Sequence, residues 1–265
     1  MIMDYIKLKN DITSWLYEKI TTAGCTGAVV GVSGGLDSAV VIRLAQEAFP
    51  NSVFGVILPC GNGKEDELYA RELCDKFSIP YTTINFEPLF ESFCTLTGND
   101  RVVADLSTVS EKTHKLALAN TKSRMRMITL YYYAQTRNAL VLGTGNRTEA
   151  ELGYFTKHGD GGVDLLPIVD LFKSEVKELA RVLGVTDVII DRAPTGGLWL
   201  GQTDEGEIGL SYDEMEFGLR KIYDLPENKL LTVDKSSDTI LKRLQQLMEI
   251  SAHKRAMPPR FAVNR

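Results

Sequence analysis

The sequence predicts an α/β fold in three layers, a mostly parallel sheet flanked by helices. Three observations predict it. Short, continuously apolar, β-rich runs occur at 28–32, 53–58 and 139–142. Segments with apolar residues every three to four positions separate them, and no internal repeat or long linker interrupts the alternation. Runs that are apolar on successive residues belong to strands buried on both faces. Strands alternating with helices imply right-handed βαβ units and a parallel sheet.

Taken in order, Tyr5, Leu8, Ile12, Trp15 and Leu16 form an amphipathic opening helix that Gly24 ends. The first strand follows at 28–32. A helix at 36–49 carries Leu36, Val40, Leu44 and Ala48 four residues apart. The second strand, 53–58, closes at Pro59. Residues 65–77 read as helix, 81–86 as strand and 88–96 as helix. The stretch 111–137 is rich in Ala, Leu, Lys, Met and Arg, strong helix formers, and predicts one long helix. Strand 139–142 ends at Gly143, beyond which the chain turns glycine-rich, with helices expected at 173–183, 211–220 and 237–251. Together these predict a Rossmann-like three-layer α/β sandwich. Such a sheet binds ligands beyond the carboxyl ends of its strands, so the loops after Val32, Leu58 and Leu142 are where a site belongs.

Composition narrows the function. The 265 residues are 44% hydrophobic and 25% charged, which is ordinary globular composition. A chain of this length buries roughly 70–75% of its unfolded surface and needs no disulfide or metal staple. The net charge of −5 argues against coating nucleic acid or an anionic membrane. No apolar run approaches the ~18 residues of a spanning helix, and the start lacks the basic and apolar regions of a signal peptide. Cys25, Cys60, Cys74 and Cys94 form no C-x-x-C pair, and His114, His158 and His253 are the only histidines. This set does not suggest a zinc site. The expectation is four reduced thiols in a cytoplasmic protein.

The loop after the first strand reads Gly31-Val32-Ser33-Gly34-Gly35-Leu36-Asp37-Ser38 and runs from a buried strand into a helix N-terminus. That arrangement offers backbone N–H groups and a positive dipole end to an anion. Gly34 and Gly35 let a phosphate approach the backbone, and Ser33 and Ser38 add hydroxyls. It is neither a G-x-x-x-x-G-K-[ST] loop nor a G-x-G-x-x-G fingerprint; the segment Gly61-Asn62-Gly63-Lys64 reads as a turn. Asp37 is informative. A carboxylate ~4 Å from a phosphate charge is repelled by ~4 kcal/mol at an effective dielectric of 20, so a cation belongs between them. Mg²⁺, which takes one or two carboxylates plus phosphate oxygens, is the natural candidate.

S-G-G-x-D-S after a first strand resembles the pyrophosphate loop of the N-type ATP pyrophosphatases, which cleave ATP between the α and β phosphates and adenylate their substrates. A second set of motifs selects among them: Gly143-Thr144-Gly145-Asn146-Arg147-Thr148-Glu149, the run from Gly153 through Lys157-His158-Gly159-Asp160 to Asp164, Pro194-Thr195-Gly196-Gly197, Gln202-Thr203-Asp204-Glu205, Ser211-Tyr212-Asp213-Glu214 and His253-Lys254-Arg255. In this order, over nearly the whole chain, they resemble the ammonia-dependent NAD synthetases. That resemblance implies an enzyme that amidates deamido-NAD (nicotinic acid adenine dinucleotide) to NAD⁺ with ATP and ammonia through an adenylated carboxylate.

The resemblance also implies roles. Residues 31–38 hold the ATP phosphates; Thr144, Lys173 and Thr195 contact ATP; Asp37 and Glu149 bind Mg²⁺; Arg124, Lys157, Asp164, His253 and Lys254 contact deamido-NAD. Asp160 lies near the incoming ammonia, and Asp160 and Lys173 are the catalytic candidates. Arg124 and Arg126, two apart, do not share a helix face, so at most one of them faces the site, and the resemblance favours Arg124. The glycine-rich stretches 153–162 and 195–210 are long for connections and read as loops that order over bound ligand. Longer members of the family carry a fused glutamine-hydrolysing domain. With the phosphate loop starting at Gly31, the expectation is one synthetase domain over 1–265, no glutaminase domain, and free ammonia as nitrogen source. The resemblance further implies a homodimer. A GMP-synthetase-like or tRNA-thiolating relative and an ATP-holding sensor are the rival readings. The missing C-x-x-C and acidic charge weigh against thiolation, and the retained acidic pair Asp37 and Glu149 weighs against a sensor.

Overall fold

The structure, a computed structural model, describes residues 3–61, 64–98, 110–192 and 203–262. Four strands, β1 (Gly27–Gly31), β2 (Val53–Ile57), β3 (Tyr81–Thr83) and β4 (Ala139–Leu142), form a sheet in the order β3-β2-β1-β4. Every pairing is parallel, with Val30 opposite Gly55 and Leu142. The order runs outward from β1 in both directions, so the crevice between β1 and β4 is the topological switch point where such sheets bind ligands.

The strands are buried on both faces, as their unbroken apolar runs require. Ala28, Val30, Val53, Ile57 and Leu142 pack toward α1 (Tyr5–Thr22), α2 (Leu36–Ala48), α3 (Lys64–Lys76) and α7 (Lys173–Val182). Val29, Val56, Ala139 and Val141 pack toward α4 (Glu87–Gly98) and α5 (Glu111–Thr136). The three-layer expectation is met. A further apolar cluster joins α6 (Arg147–Leu152), α10 (Tyr212–Ile222) and α11 (Ser237–Arg255) around Met215, Leu219, Ile240 and Leu244. Gly218 is where α10 and α11 touch, since a Cβ there would lie 2.4 Å from Leu244 Cδ1. Among the described residues, no helix is long and apolar enough to cross a membrane.

Five elements differ from expectation. β3 stops at Thr83 rather than Phe86, because Pro59 has no N–H to return to the ladder; Ile84 and Phe86 still donate to Ile57 O and Pro59 O at 2.9 and 2.8 Å. The short helices α6, α8 (Asp187–Ile190) and α9 (Asp204–Ile208) are missing from the reading above, being too brief to show an apolar period. Finally, α11 continues four residues past Ser251, where His253, Lys254 and Arg255 suit the negative end of its dipole.

Candidate active site

β1 delivers the chain to the sheet's carboxyl edge at Gly31, and α2 leaves from it five residues later. Between them the two serines build the turn. Ser33 N–H donates to Ser38 Oγ at 3.2 Å, Ser38 Oγ donates to Gly35 O at 3.0 Å, and the two hydroxyls are 3.1 Å apart. Gly34 sits at φ +82, and a Cβ on it would stand 2.2 Å from Asp66 O, so only glycine fits. The N-cap of α2 is Gly35, which supplies no side chain to the first-turn N–H groups. Helix N-termini are usually capped. This one is left open, and Gly35, Leu36, Asp37 and Ser38 line a cavity of about 440 Å³.

Across that cavity α7 begins with Lys173. A lysine at a helix N-terminus opposes the dipole, and its partner explains the placement: Nζ is 2.5 Å from Asp37 Oδ2. Burial lowers the ammonium's pKa, but the carboxylates of Asp37 and Glu149 outweigh it, and the group is held above its ordinary value. The cation that Asp37 requires is thus supplied by the chain itself in the ligand-free protein. Glu149 follows β4 in a capping box: its backbone N–H donates to Asn146 Oδ1 at 3.1 Å, and its Oε2 accepts from Asn146 N at 3.2 Å. Tyr212 OH donates to Asp204 Oδ2 at 2.9 Å and lies 3.3 Å from Glu149 Oε1. Burial first, and then the charge of Asp37, push the Glu149 carboxyl up to about 8, against the pull of Lys173. Burial likewise raises Asp204.

These residues fit a divalent cation. Asp37 Oδ1 is buried and has no hydrogen-bond partner, and a second acid, Glu149, lines the same cavity. Among the described residues no cluster of three or more His, Cys, Asp or Glu forms a complete cage. Mg²⁺ bound through one or two carboxylates and completed by phosphate oxygens needs no such cage.

The far wall comes from α5 and the loop 153–162. Asp160 Oδ1 accepts from Ser123 Oγ at 2.7 Å and from Thr156 N at 2.9 Å. Lys254 Nζ donates to Gly153 O and Phe155 O at 2.8 and 2.9 Å. The loop is packed: Thr156 Oγ1 donates to Asn120 Oδ1 at 2.7 Å, and a Cβ on Gly159 would meet Ser123 Oγ at 2.4 Å. In this stretch Gly159 and Gly162 pack against Ser123 and Met127 of α5, and Gly153 against Ser251 of α11. Of the second stretch, 203–210 holds α9 and 195–202 lies outside the described residues.

One cavity therefore gathers Gly31, Val32, Ser33, the start of α2, Thr144, Glu149, Asp160, Lys173 and Lys254. Gly34 supports the loop from behind. Arg124, Lys157, Asp164 and His253 do not line this cavity. The first, second and fourth make an outer chain, with Arg124 Nη2 donating to Lys157 O at 3.3 Å and Lys157 Nζ to His253 O at 2.6 Å. Asp164 accepts from Val141 N at 2.8 Å and Tyr131 OH at 3.1 Å, tying its loop to β4. Thr195 lies outside the described residues. Of the two α5 arginines, Arg126 faces the cavity and Arg124 is exposed beyond it, the reverse of the preference stated above. Two steps along a helix turn a side chain by about 200°, and here that phase is set by the packing of Leu130 against Gly31.

A family model described as NAD synthase matches residues 8–258. The chain belongs to the NAD synthase family. It is 44% identical over 249 residues, 93% of each chain, to an NH(3)-dependent NAD(+) synthetase of Carboxydothermus hydrogenoformans. It is 41% identical over 263 residues, 99% of each, to one of Finegoldia magna. Among solved structures it resembles an NMN synthetase from Francisella tularensis, with TM-score 0.81 and 33% identity over 98% of this chain and 100% of that one. It also resembles an NH3-dependent NAD synthetase from Campylobacter jejuni in complex with nitrate, with TM-score 0.77 and 28% identity over the same shares. For this NAD synthase family member, the sequence reading assigned no role to Asp204, Tyr212 or Ser123. Asp204 and Tyr212 stand in motifs quoted above. Ser123 carried no signal, since its pairing with Asp160 spans 37 residues.

Proposed function

We propose that the protein is an ammonia-dependent NAD synthetase, a ligase that converts deamido-NAD, ATP and ammonia to NAD⁺, AMP and pyrophosphate. The observation that carries the reading is the single cavity joining an uncapped phosphate-binding helix end and the Lys173–Asp37 pair to Asp160 on the opposite wall. Nucleotide activation and amidation need adjacent seats, and this cavity supplies both.

The carboxylate of the substrate is a poor acyl donor because oxide does not leave. Its oxygen attacks the α-phosphorus of ATP, the bond to the β-phosphate bridging oxygen breaks, and that electron pair departs with pyrophosphate. The open N–H groups of α2 and the Lys173 ammonium hold the charge that grows there. Asp37 and Glu149 would hold Mg²⁺, which neutralises phosphate charge when bound. Ammonia then adds to the acyl carbon of the mixed anhydride, AMP leaves, and the nitrogen releases a proton beside Asp160. Holding the two reactants in one enclosed seat supplies much of the rate.

Thr144 and Thr195 contact ATP in this reading. Arg124, Lys157, Asp164, His253 and Lys254 contact the dinucleotide, four of them outside the reaction cavity, where the far half of a long substrate extends. Residues 1–265 work as one synthetase unit, as a cytoplasmic homodimer. The exposed α5 pair Ile128 and Tyr132, one turn apart, supports an interface.

The resemblance to an NMN synthetase favours a second reading, in which the mononucleotide is the substrate. One assay separates them: pyrophosphate release by the purified protein with deamido-NAD or nicotinate mononucleotide, and with NH₄Cl or glutamine. The proposal expects release with deamido-NAD and NH₄Cl. Preference for the mononucleotide, efficient use of glutamine, or release without either acid overturns it.

A further inference from the structure

Arg126 is a cation of this cavity wall to which the chemistry described so far gives no role. It lines the cavity. Its Nε donates to Leu58 O, at the end of β2, at 3.1 Å, and this is its only hydrogen bond among the described residues. It makes no ion pair among them. Burial lowers its pKa, and the groups that oppose this, Cys60, Asp160 and Asp66, act only through charge. A guanidinium has five donors in a fixed planar fork suited to two oxygens of one anion. Its Nη donors have no protein partner among the described residues and open on the cavity, where a ligand anion would complete the set.

Position selects the anion. Arg126 is bonded to Leu58 O just past β2, beside the loop that leaves β1, and Lys173 lines the same cavity. One helical turn before it on α5, Ser123 holds Asp160. The guanidinium thus shares one cavity with the loop proposed to hold the pyrophosphate and with Asp160, where amidation is proposed. The proposed reaction has one charged group common to both halves, the α-phosphate of the nucleotide and of the mixed anhydride. We infer that Arg126 is a catalytic residue of the adenylation step, its free Nη donors bonding the non-bridging oxygens of the α-phosphate. These oxygens gain charge as the carboxylate oxygen bonds to phosphorus and the pyrophosphate oxygen leaves. Arg126 moves no proton; it stabilises the five-coordinate arrangement. The inference rests on the synthetase reading above and adds a residue to it.

The test uses the full-length protein, with AMP and adenosine as binding probes and deamido-NAD-dependent ATP–pyrophosphate exchange, without ammonia, as the reaction readout. Wild type should bind AMP about tenfold or more tightly than adenosine. Arg126→Gln should erase that margin, leave adenosine affinity within about threefold, and slow exchange by roughly 100-fold or more. Arg126→Lys, which keeps the charge and a donor for Leu58 O, should fold as wild type does and fall between them. Equal losses for AMP and adenosine, unchanged AMP affinity in both variants, or an effect confined to the KM for deamido-NAD would overturn the assignment. Should Arg126→Gln not fold, the wild-type margin and the Arg126→Lys exchange rate decide. If wild type shows no exchange dependent on deamido-NAD, the synthetase reading falls, while the AMP–adenosine comparison still judges Arg126.

Discussion

Lys173 Nζ stands 2.5 Å from Asp37 Oδ2, joining the first turns of two helices across 136 positions of the chain. Both side chains are largely buried, with 8% and 16% of their surface exposed. The pair gives a counter-charge to a largely buried acid that also stands near Glu149. It also leaves Asp37 Oδ1 without a partner and ready for a cation.

Lys173→Met removes the counter-charge and leaves Asp37 facing Glu149. Breaking a buried pair from one side costs about 3–5 kcal/mol, so the urea midpoint should fall markedly. Adding Asp37→Asn should recover most of that stability while activity stays at least ~100-fold down, because the phosphate clamp is gone. Wild-type stability in Lys173→Met would show that the pair is not what holds these helix ends together.

Glu149 sets a pH dependence whose sign is fixed. Its folded-state pKa is about 8, raised from 4.5 by burial and by Asp37. Between those values the folded protein keeps a proton that the unfolded chain has released, so stability of the ligand-free protein falls as pH rises through that window. Glu149→Gln removes this contribution. The variant should melt higher than wild type at pH 8, with the advantage shrinking toward pH 4.5, and should lose Mg²⁺-dependent activity. Melting curves across pH that run parallel for the two proteins would contradict the shift.

The phosphate loop was legible from the sequence because strand, turn and helix are contiguous there, so local chemistry implies the geometry. The parallel sheet was legible for a similar reason, as unbroken apolar runs at 28–32, 53–58 and 139–142 admit few other placements. The pairing of Asp37 with Lys173 was not legible, since each had been assigned its own work on a ligand and their contact depends on how α7 crosses α2. The same holds for Tyr212, which reaches Asp204 and Glu149 from a third helix. Spacing alone showed that Arg124 and Arg126 diverge but not which points inward, because that depends on which face of α5 Leu130 presents to Gly31. Asn146, three residues before Glu149, is a neglected local signal, a capping pattern that marks α6.

Gly34→Ala tests the tightness of the loop. Its added Cβ would meet Asp66 O at 2.2 Å on a backbone at φ +82, so the loop or α3 must shift. Stability should drop by more than about 1 kcal/mol, and calorimetric ATP affinity should fall with it. Gly35→Ala is the stability control, since its Cβ meets only Ser33 Oγ at 3.4 Å. Equal melting temperatures for Gly34→Ala and Gly35→Ala would count against the close approach of α3.

Ile128 and Tyr132 leave 64% and 63% of their surface exposed on successive turns of α5, although α5 packs its other face on β1 and β4. Homodimerisation through this face predicts that the double substitution Ile128→Asp with Tyr132→Asp gives a monomer in sedimentation equilibrium with its far-ultraviolet circular dichroism unchanged. A dimer that survives both charges would place the interface elsewhere.

In the proposed reaction Asp160 acts in amidation and not in adenylation. Its Oδ1 is occupied by Ser123 and Thr156, while the carboxylate lines the cavity where ammonia must arrive. Asparagine preserves the shape and the acceptor oxygen for those two donors and removes the negative charge. Attraction of ammonium and acceptance of the amide's proton both need that charge; activation of the carboxylate by ATP does not. Asp160→Asn should therefore keep ATP–pyrophosphate exchange within about threefold of wild type while NAD⁺ formation with NH₄Cl falls roughly 100-fold, the scale of a lost general base. The loss should narrow as pH rises and free ammonia replaces ammonium. A variant in which exchange and amidation fall together would make Asp160 a support for the Ser123–Thr156 wall rather than a participant at the nitrogen.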